Sequence, residues 1–399
     1  MKRRLLVGLL VALAGLGVPA SAPAEWRGLV TGLNETNPWL ITPAADVPPG
    51  FAPYRDAAAA LRPRYFRLDL QWSKLQPTAD APPNFDQPVD GCMRGQPPCA
   101  TYGGLRALLR AVRARQLADD GWRVVVTIYS TPNWAVAADA PPGDCIRSPG
   151  ARAPDLAAYE AFVRSVVELG RQERVRLAYW APWNEPNHPY FLGPQHEGCT
   201  VEGARLMPAV YAGIVRAMIR ARGTSSGLVL GELASLKTER ADTASVTNFI
   251  GDLPDDVVCS AAVWAQHAYV PNSAGTPGAP PASSDLIDMI STALAARNCP
   301  KQLWLTETAV GAPHLNEPRP TDPARQLAEC RAMQAAMRSW ANDRRVDAAF
   351  QYTFREDPVF RVGLADSALS RLYSAYPVWR AWGGPSGRGD PVPRELCAG

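Results

Sequence analysis

Several patterns are missing from this chain, and each gap removes a class of function. Only 4 histidines occur in 399 residues, and none of the 8 cysteines is spaced C-x-x-C. No histidine sits at a zinc-ligand spacing, so a bound metal is not expected. There is no G-x-G-x-x-G and no G-x-x-x-x-G-K-[ST], which excludes the familiar dinucleotide and phosphate loops, and no organic cofactor is expected. Charge of one sign is barely in excess, with 41 Lys+Arg against 38 Asp+Glu and a formal net charge of +3. Phosphate binding needs concentrated Lys/Arg, and no basic cluster is present, so nucleic acid is not the expected partner. No stretch beyond the N-terminal segment approaches the roughly 20 apolar residues of a membrane span.

What is present describes a folded, loop-rich protein. Hydrophobic residues make up 47% of the chain and charged residues 20%, which supplies a core and excludes intrinsic disorder. The 31 glycines and 39 prolines fall below the roughly 25–30% that marks low-complexity sequence. Lys2, Arg3 and Arg4 precede an apolar run, Leu5 to Val18, and the small-residue stretch Pro19-Ala20-Ser21-Ala22-Pro23-Ala24. A basic start, a short apolar core and an A-x-A site read as a secretory signal peptide, 1–24, cleaved after Ala24 in preference to Ala22. Its removal takes away three positive charges and no acidic ones, leaving a neutral protein with 38 acidic residues balanced. Export, to periplasm or medium, makes disulfides the default for Cys92, Cys99, Cys145, Cys199, Cys259, Cys299, Cys330 and Cys397. Connectivity stays open, except that Cys92 with Cys99 closes a small Pro/Gly loop.

Beyond the leader, a β-rich run, a loop and a helical stretch recur. Strands are predicted at Gly28–Glu35, Tyr65–Trp72, Trp122–Tyr129, Val175–Trp183, Gly227–Leu233, Ala261–Tyr269, Gln302–Thr308 and Val346–Phe354. Amphipathic helices are predicted at Tyr102–Ala118, Asp155–Arg171, Ala204–Arg222, Leu286–Arg297 and Ala324–Asn342, with a last one near Ser370–Trp382. Eight such units imply an α/β fold, a single (β/α)8 TIM barrel over residues 25–399, with long strand-to-helix loops and disulfide stabilisation. A doubly wound open sheet would use fewer strands and open with a Gly-rich turn. The Pro- and Gly-rich loops follow the strands, on the face where barrels build their sites.

Two glutamates end strands on that face. Strand four closes in Trp183-Asn184-Glu185-Pro186-Asn187, and strand seven in Thr306-Glu307-Thr308. Cleaving an acetal takes two carboxyls in different protonation states. In Arg67-Leu68-Asp69 the alternation turns Arg67 inward and Phe66, Leu68 and Leu70 toward the helices. His267 and Tyr269 share a face of strand six. Glu232, at the tip of strand five, is a competing carboxylate, and Glu35 and Asp69 are read as substrate contacts.

The W-N-E-P-N run with T-E resembles the clan A glycoside hydrolases, retaining (β/α)8 enzymes, with families 39 and 5 nearest in wording. The resemblance implies Glu185 as acid/base and Glu307 as nucleophile, with carboxyls about 5–5.5 Å apart. It implies Asn184 as donor to a sugar 2-hydroxyl, Arg67 beside the nucleophile, and His267 and Tyr269 in the site. Trp134, after strand three, resembles a sugar-stacking turn, and Trp183 joins the substrate contacts. Trp39 and Trp72 are further sugar platforms, whereas Trp180, Trp264 and Trp304 are expected to pack beneath helices. The clan's Trp near the end of strand eight is absent, and Tyr352 or Phe354 stands in its place. The expected protein is a monomer that cleaves β-glycosidic bonds of an oligo- or polysaccharide. A non-catalytic glycan-binding barrel and a transglycosylase are the alternatives.

Overall fold

A computed structural model describes residues 28–118, 121–143, 145–272, 274, 276, 279, 282–311, 318–384 and 396–397. The predicted leader, 1–24, therefore lies outside the described residues. Eight strands form: β1 Val30–Asn34, β2 Tyr65–Gln71, β3 Arg123–Tyr129, β4 Leu177–Ala181, β5 Val229–Leu233, β6 Val263–His267, β7 Leu303–Thr308 and β8 Val346–Tyr352. Their order is β4-β3-β2-β1-β8-β7-β6-β5, with every pairing parallel. A single Trp180–Leu228 bridge joins the two ends, so the sheet curls into a nearly closed barrel.

The covering helices include all those predicted. In chain order they are α1 Ala52–Ala60, α2 Trp72–Leu75, α3 Gly104–Leu117, α4 Leu156–Gln172, α5 Met207–Arg222, α6 Val246–Asp252, α7 Asp255–Val258, α8 Ser284–Ala296, α9 Pro323–Asn342 and α10 Tyr376–Trp382. Helical periodicity sets their buried faces. On α4, Tyr159, Phe162, Val163, Val166 and Leu169 turn inward, and the Asp155 carboxylate caps the first turn through Ala158 N–H at 2.8 Å. The short α1, α2, α6 and α7 carry too few periodic positions to be seen in the sequence.

Two apolar layers result. The larger lies between strands and helices and contains Phe66, Leu68 and Leu70 as predicted. The smaller fills the barrel with Tyr65, Val125, Ala181, Val229, Val263, Ala265, Trp304, Ala348 and Phe350. Gly32 makes room here, because a Cβ would meet the Phe350 ring at 2.3 Å. Trp304 corrects an expectation: it fills the barrel, not the space beneath a helix. An extra residue in β7, seen as register shifts against both β6 and β8, lets Trp304 and Glu307 both point inward despite their odd spacing.

The disulfides pair Cys92–Cys99, Cys145–Cys199, Cys259–Cys299 and Cys330–Cys397. The first bears out the expected small loop. The second ties the loop after β3 to the loop after β4, so both staples brace the barrel mouth. Among the described residues, no helix is long and apolar enough to cross a membrane.

Trp304 packs on Tyr65 and Tyr179 at ring separations of 4.5 and 4.8 Å. Trp304→Ala is expected to cost about 3–5 kcal/mol in urea unfolding; a loss below about 1 kcal/mol would contradict its interior placement.

Candidate active site at the barrel mouth

The site grows from the C-terminal ends of β2, β4, β5, β6 and β7. Arg67 on β2 is 1% exposed, so its charge must be met by protein groups. Nη1 donates to Glu307 Oε1 at 2.8 Å and to Asp69 Oδ2 at 3.0 Å. Nη2 donates to Asn184 Oδ1 at 2.7 Å and to Glu232 Oε2. Since Arg67 donates to its Oδ1, Asn184 keeps its amide N–H groups as donors.

His267 is the second hub. Its Nδ1 lies 2.7 Å from Glu185 Oε1 and 3.4 Å from Glu307 Oε2, and its Nε2 lies 3.3 Å from Glu232 Oε2. Carboxylates on both sides call for N–H on both nitrogens, which is an imidazolium. Burial alone would discharge the ring. The Glu307 charge and the contacts with Glu185 and Glu232 overcome it and raise the pKa to about 10. Glu232 shows the complementary effect: burial would raise its pKa, but the Arg67 charge and the His267 hydrogen bond lower it to about 2. Asp69 goes the other way, pushed up to about 7 by burial and by Glu307 and Glu232 against the pull of Arg67.

Tyr269 donates to Glu307 Oε2 at 2.6 Å, so Glu307 is fixed through both oxygens. Tyr352 stands half-buried at ring distances of 6.5 Å from Tyr269 and 5.7 Å from Phe360, while Phe354 is wholly buried in the outer core. Of the two replacements named for the missing Trp, Tyr352 is the one at the cleft. A cavity of about 530 Å³ opens beside Asp69, between Gln71, Lys74, Gln87 and Tyr102.

Other expected contacts change. Arg67 and His267 sit behind the carboxylates, with side chains 0% and 1% exposed, and so hold acids in place without reaching a ligand. Trp183 is fully buried in the outer core and donates to the Phe191 carbonyl at 2.7 Å; it does not line the cleft. Trp72 is also buried, stacked on Phe162 at 5.3 Å, because it opens α2 beneath α4. Trp134 stays half-buried, its indole N–H on the Gln76 carbonyl at 2.9 Å. Trp39 is likewise half-buried. Glu35 is structural, accepting the backbone N–H groups of Thr36, Asn37 and Arg355 at 2.8, 3.0 and 3.0 Å.

Two residues with important roles were missed. Glu232 counted only as a rival acid. Arg355 received no role, yet its buried guanidinium holds the Gly91, Gln96 and Pro98 carbonyls at 3.1, 3.0 and 3.1 Å, anchoring the Cys92–Cys99 loop. An N–H fork collecting backbone carbonyls leaves no sequence signature.

One donor atom each from Glu185, His267 and Glu307 lies within 4.8 Å of the others. A metal needs the lone pair of a neutral imidazole, and both nitrogens of His267 face acceptors, so this set does not fit a metal.

No family model and no curated protein matches the sequence. Among solved structures, the chain is similar to a family 39 glycoside hydrolase from the gut symbiont Bacteroides cellulosilyticus, at 14% identity and a TM-score of 0.50. That match covers 89% of this chain and 63% of the other, so the chain spans less than two thirds of that relative. A glycoside hydrolase family 5 subfamily 18 protein from Streptomyces cattleya matches at 17% identity and a TM-score of 0.55, over 89% of this chain and 80% of that one. A family 10 protein from Paenibacillus barcinonensis matches at 12% identity and a TM-score of 0.52, over 88% and 94%. At these identities the likeness defines the fold alone, a (β/α)8 barrel.

The His267 proton has a consequence for stability. A folded pKa raised from 6.5 to about 10 stabilises fully below about pH 6.5, and the contribution is lost as pH rises through about 10. The stability gap between wild type and His267→Asn, read by calorimetry, is expected to be widest near pH 6. It should narrow by a few kcal/mol by pH 10, at about 1.4 kcal/mol for each tenfold change in proton affinity. A gap independent of pH would contradict the doubly bonded imidazolium.

Proposed function

We propose that the protein is an exported retaining glycoside hydrolase that cleaves β-glycosidic bonds of an oligo- or polysaccharide by double displacement. The observation that carries this reading is the spacing of Glu185 and Glu307. An oxygen of each lies within 4.8 Å of the other, which suits direct attack and matches the roughly 5–5.5 Å of retaining pairs better than the roughly 6.5–9.5 Å that inverting enzymes use to admit a water.

In the first step a Glu307 oxygen bonds to the anomeric carbon while the glycosidic C–O bond breaks, and Glu185 gives its proton to the departing oxygen. In the second, Glu185 takes a proton from water, whose oxygen displaces Glu307 and restores both groups. Arg67 and Tyr269 keep Glu307 aimed, and the free amide of Asn184 is positioned to donate to the sugar. Tyr352 offers an aromatic floor in the region of the cleaved bond, and the cavity beside Asp69 has room for further sugar units. Four disulfides fit an oxidising compartment, and a neutral mature chain carries no net-charge preference for polyanionic glycans.

A digest panel of β-linked polysaccharides tests the proposal. Glu185→Ala and Glu307→Ala are each expected to lower turnover by about 10³-fold or more on any substrate the wild type cleaves. Unchanged activity in either variant would overturn the assignment, and binding across the panel without wild-type cleavage would favour a glycan-binding barrel.

A further inference from the structure

We propose that Glu232 is a positioning residue for both reacting carboxylates, locking Arg67 against Glu307 and His267 against Glu185 while touching neither carboxylate itself. The inference rests on the reading of Glu185 and Glu307 as the reacting pair, but its first test does not depend on hydrolysis.

Three observations carry it. One oxygen of Glu232, Oε2, meets both Arg67 Nη2 and His267 Nε2, so one carboxylate clamps both cations of the site. The side chain is 0% exposed and cannot reach a substrate, which gives it a supporting role and not a chemical one. Its backbone takes part as well, because the Glu232 carbonyl accepts the Glu185 N–H at 2.8 Å. Glu232 and Glu185 both adopt positive φ, 50° and 39°, a conformation non-glycine residues hold only where surroundings impose it. The bulge in β5 explains how the side chain arrives there: a register shift between Gly231 and Leu233 against β6 makes Glu232 the extra residue and turns it into the barrel.

The charges around His267 define what removal of Glu232 would do. Facing the ring are Glu185 after β4, Glu232 on β5 and Glu307 on β7, with Arg67 and Asp69 from β2 and Tyr269 just beyond β6. Glu232→Gln keeps the shape and replaces one of the three carboxyls in contact with the ring, leaving Nε2 opposite a neutral amide. The imidazole then releases its proton at lower pH, and its hold on Glu185 loosens in a range where the wild-type ring stays charged.

The experiment is an ¹⁵N-histidine NMR titration of the full chain, with the His267 signal assigned through His267→Asn. The wild-type ring is expected to stay doubly protonated beyond pH 9, and its midpoint in Glu232→Gln to fall at least about tenfold in proton affinity. Glu232→Asp keeps the charge and should retain a high midpoint, which also serves if the Gln variant does not fold. An unchanged midpoint in Glu232→Gln, or a wild-type ring titrating near 6.5, overturns the proposal. With a cleaved substrate in hand, Glu232→Gln should lower kcat at least tenfold at near-constant KM and add a new alkaline limb to the pH profile. A KM effect alone would also overturn it. A high wild-type midpoint that falls in the variant, with no glycan cleaved, would retain the charge clamp and refute the hydrolase reading instead.

Discussion

A guanidinium buried where water cannot reach it is the constraint on which this site depends. Arg67 cannot lose its proton and cannot be left unpaired, since an uncompensated buried charge costs several kcal/mol. Four strands or strand ends therefore deliver polar groups to it: Asp69 on β2, Asn184 after β4, Glu232 on β5 and Glu307 on β7. The carboxylates outnumber the guanidinium, which makes a second cation favourable, and His267 becomes that cation. Two cationic and four acidic side chains share the mouth, so a charge change at one is felt by the others. Burial thus produces both the order of the site and the spread of proton affinities from Glu232 to His267.

The scaffold meets this demand with local irregularity. Regular strands send alternate residues to opposite faces, and that phase alone would not bring Trp304 and Glu307 into the same interior. Extra residues in β5 and β7 shift the phase at the rim, so apolar side chains fill the barrel while acids gather above them. Around the rim, Arg355 gathers the carbonyls of the Cys92–Cys99 loop, and Cys145–Cys199 ties neighbouring loops together. The walls are consequently braced by directed bonds as well as by packing.

Where regular periodicity governs, the sequence was a sufficient guide. Alternation in β2 correctly turned Arg67 inward and Leu68 outward, and the W-N-E-P-N and T-E strand ends led to Glu185 and Glu307. His267 and Tyr269 were found by their spacing of two. The bulges are what alternation cannot show, and they account for the misplacement of Trp304 and the undervalued Glu232. Trp183 and Trp72 misled for another reason: each sits at a strand-to-loop position, but its large apolar surface is buried more fully among Tyr159 and Phe162 than at the rim. Arg355 depends on backbone carbonyls brought together from distant loops, which no local pattern encodes.

The central claim is that two carboxylates, held close by a shared pair of cations, act in one double displacement. The most direct measurement is ¹H NMR of the anomer released first from a β-linked substrate that the wild type cleaves, read before mutarotation. The account predicts the β-anomer, with net retention; the α-anomer as first product would contradict it.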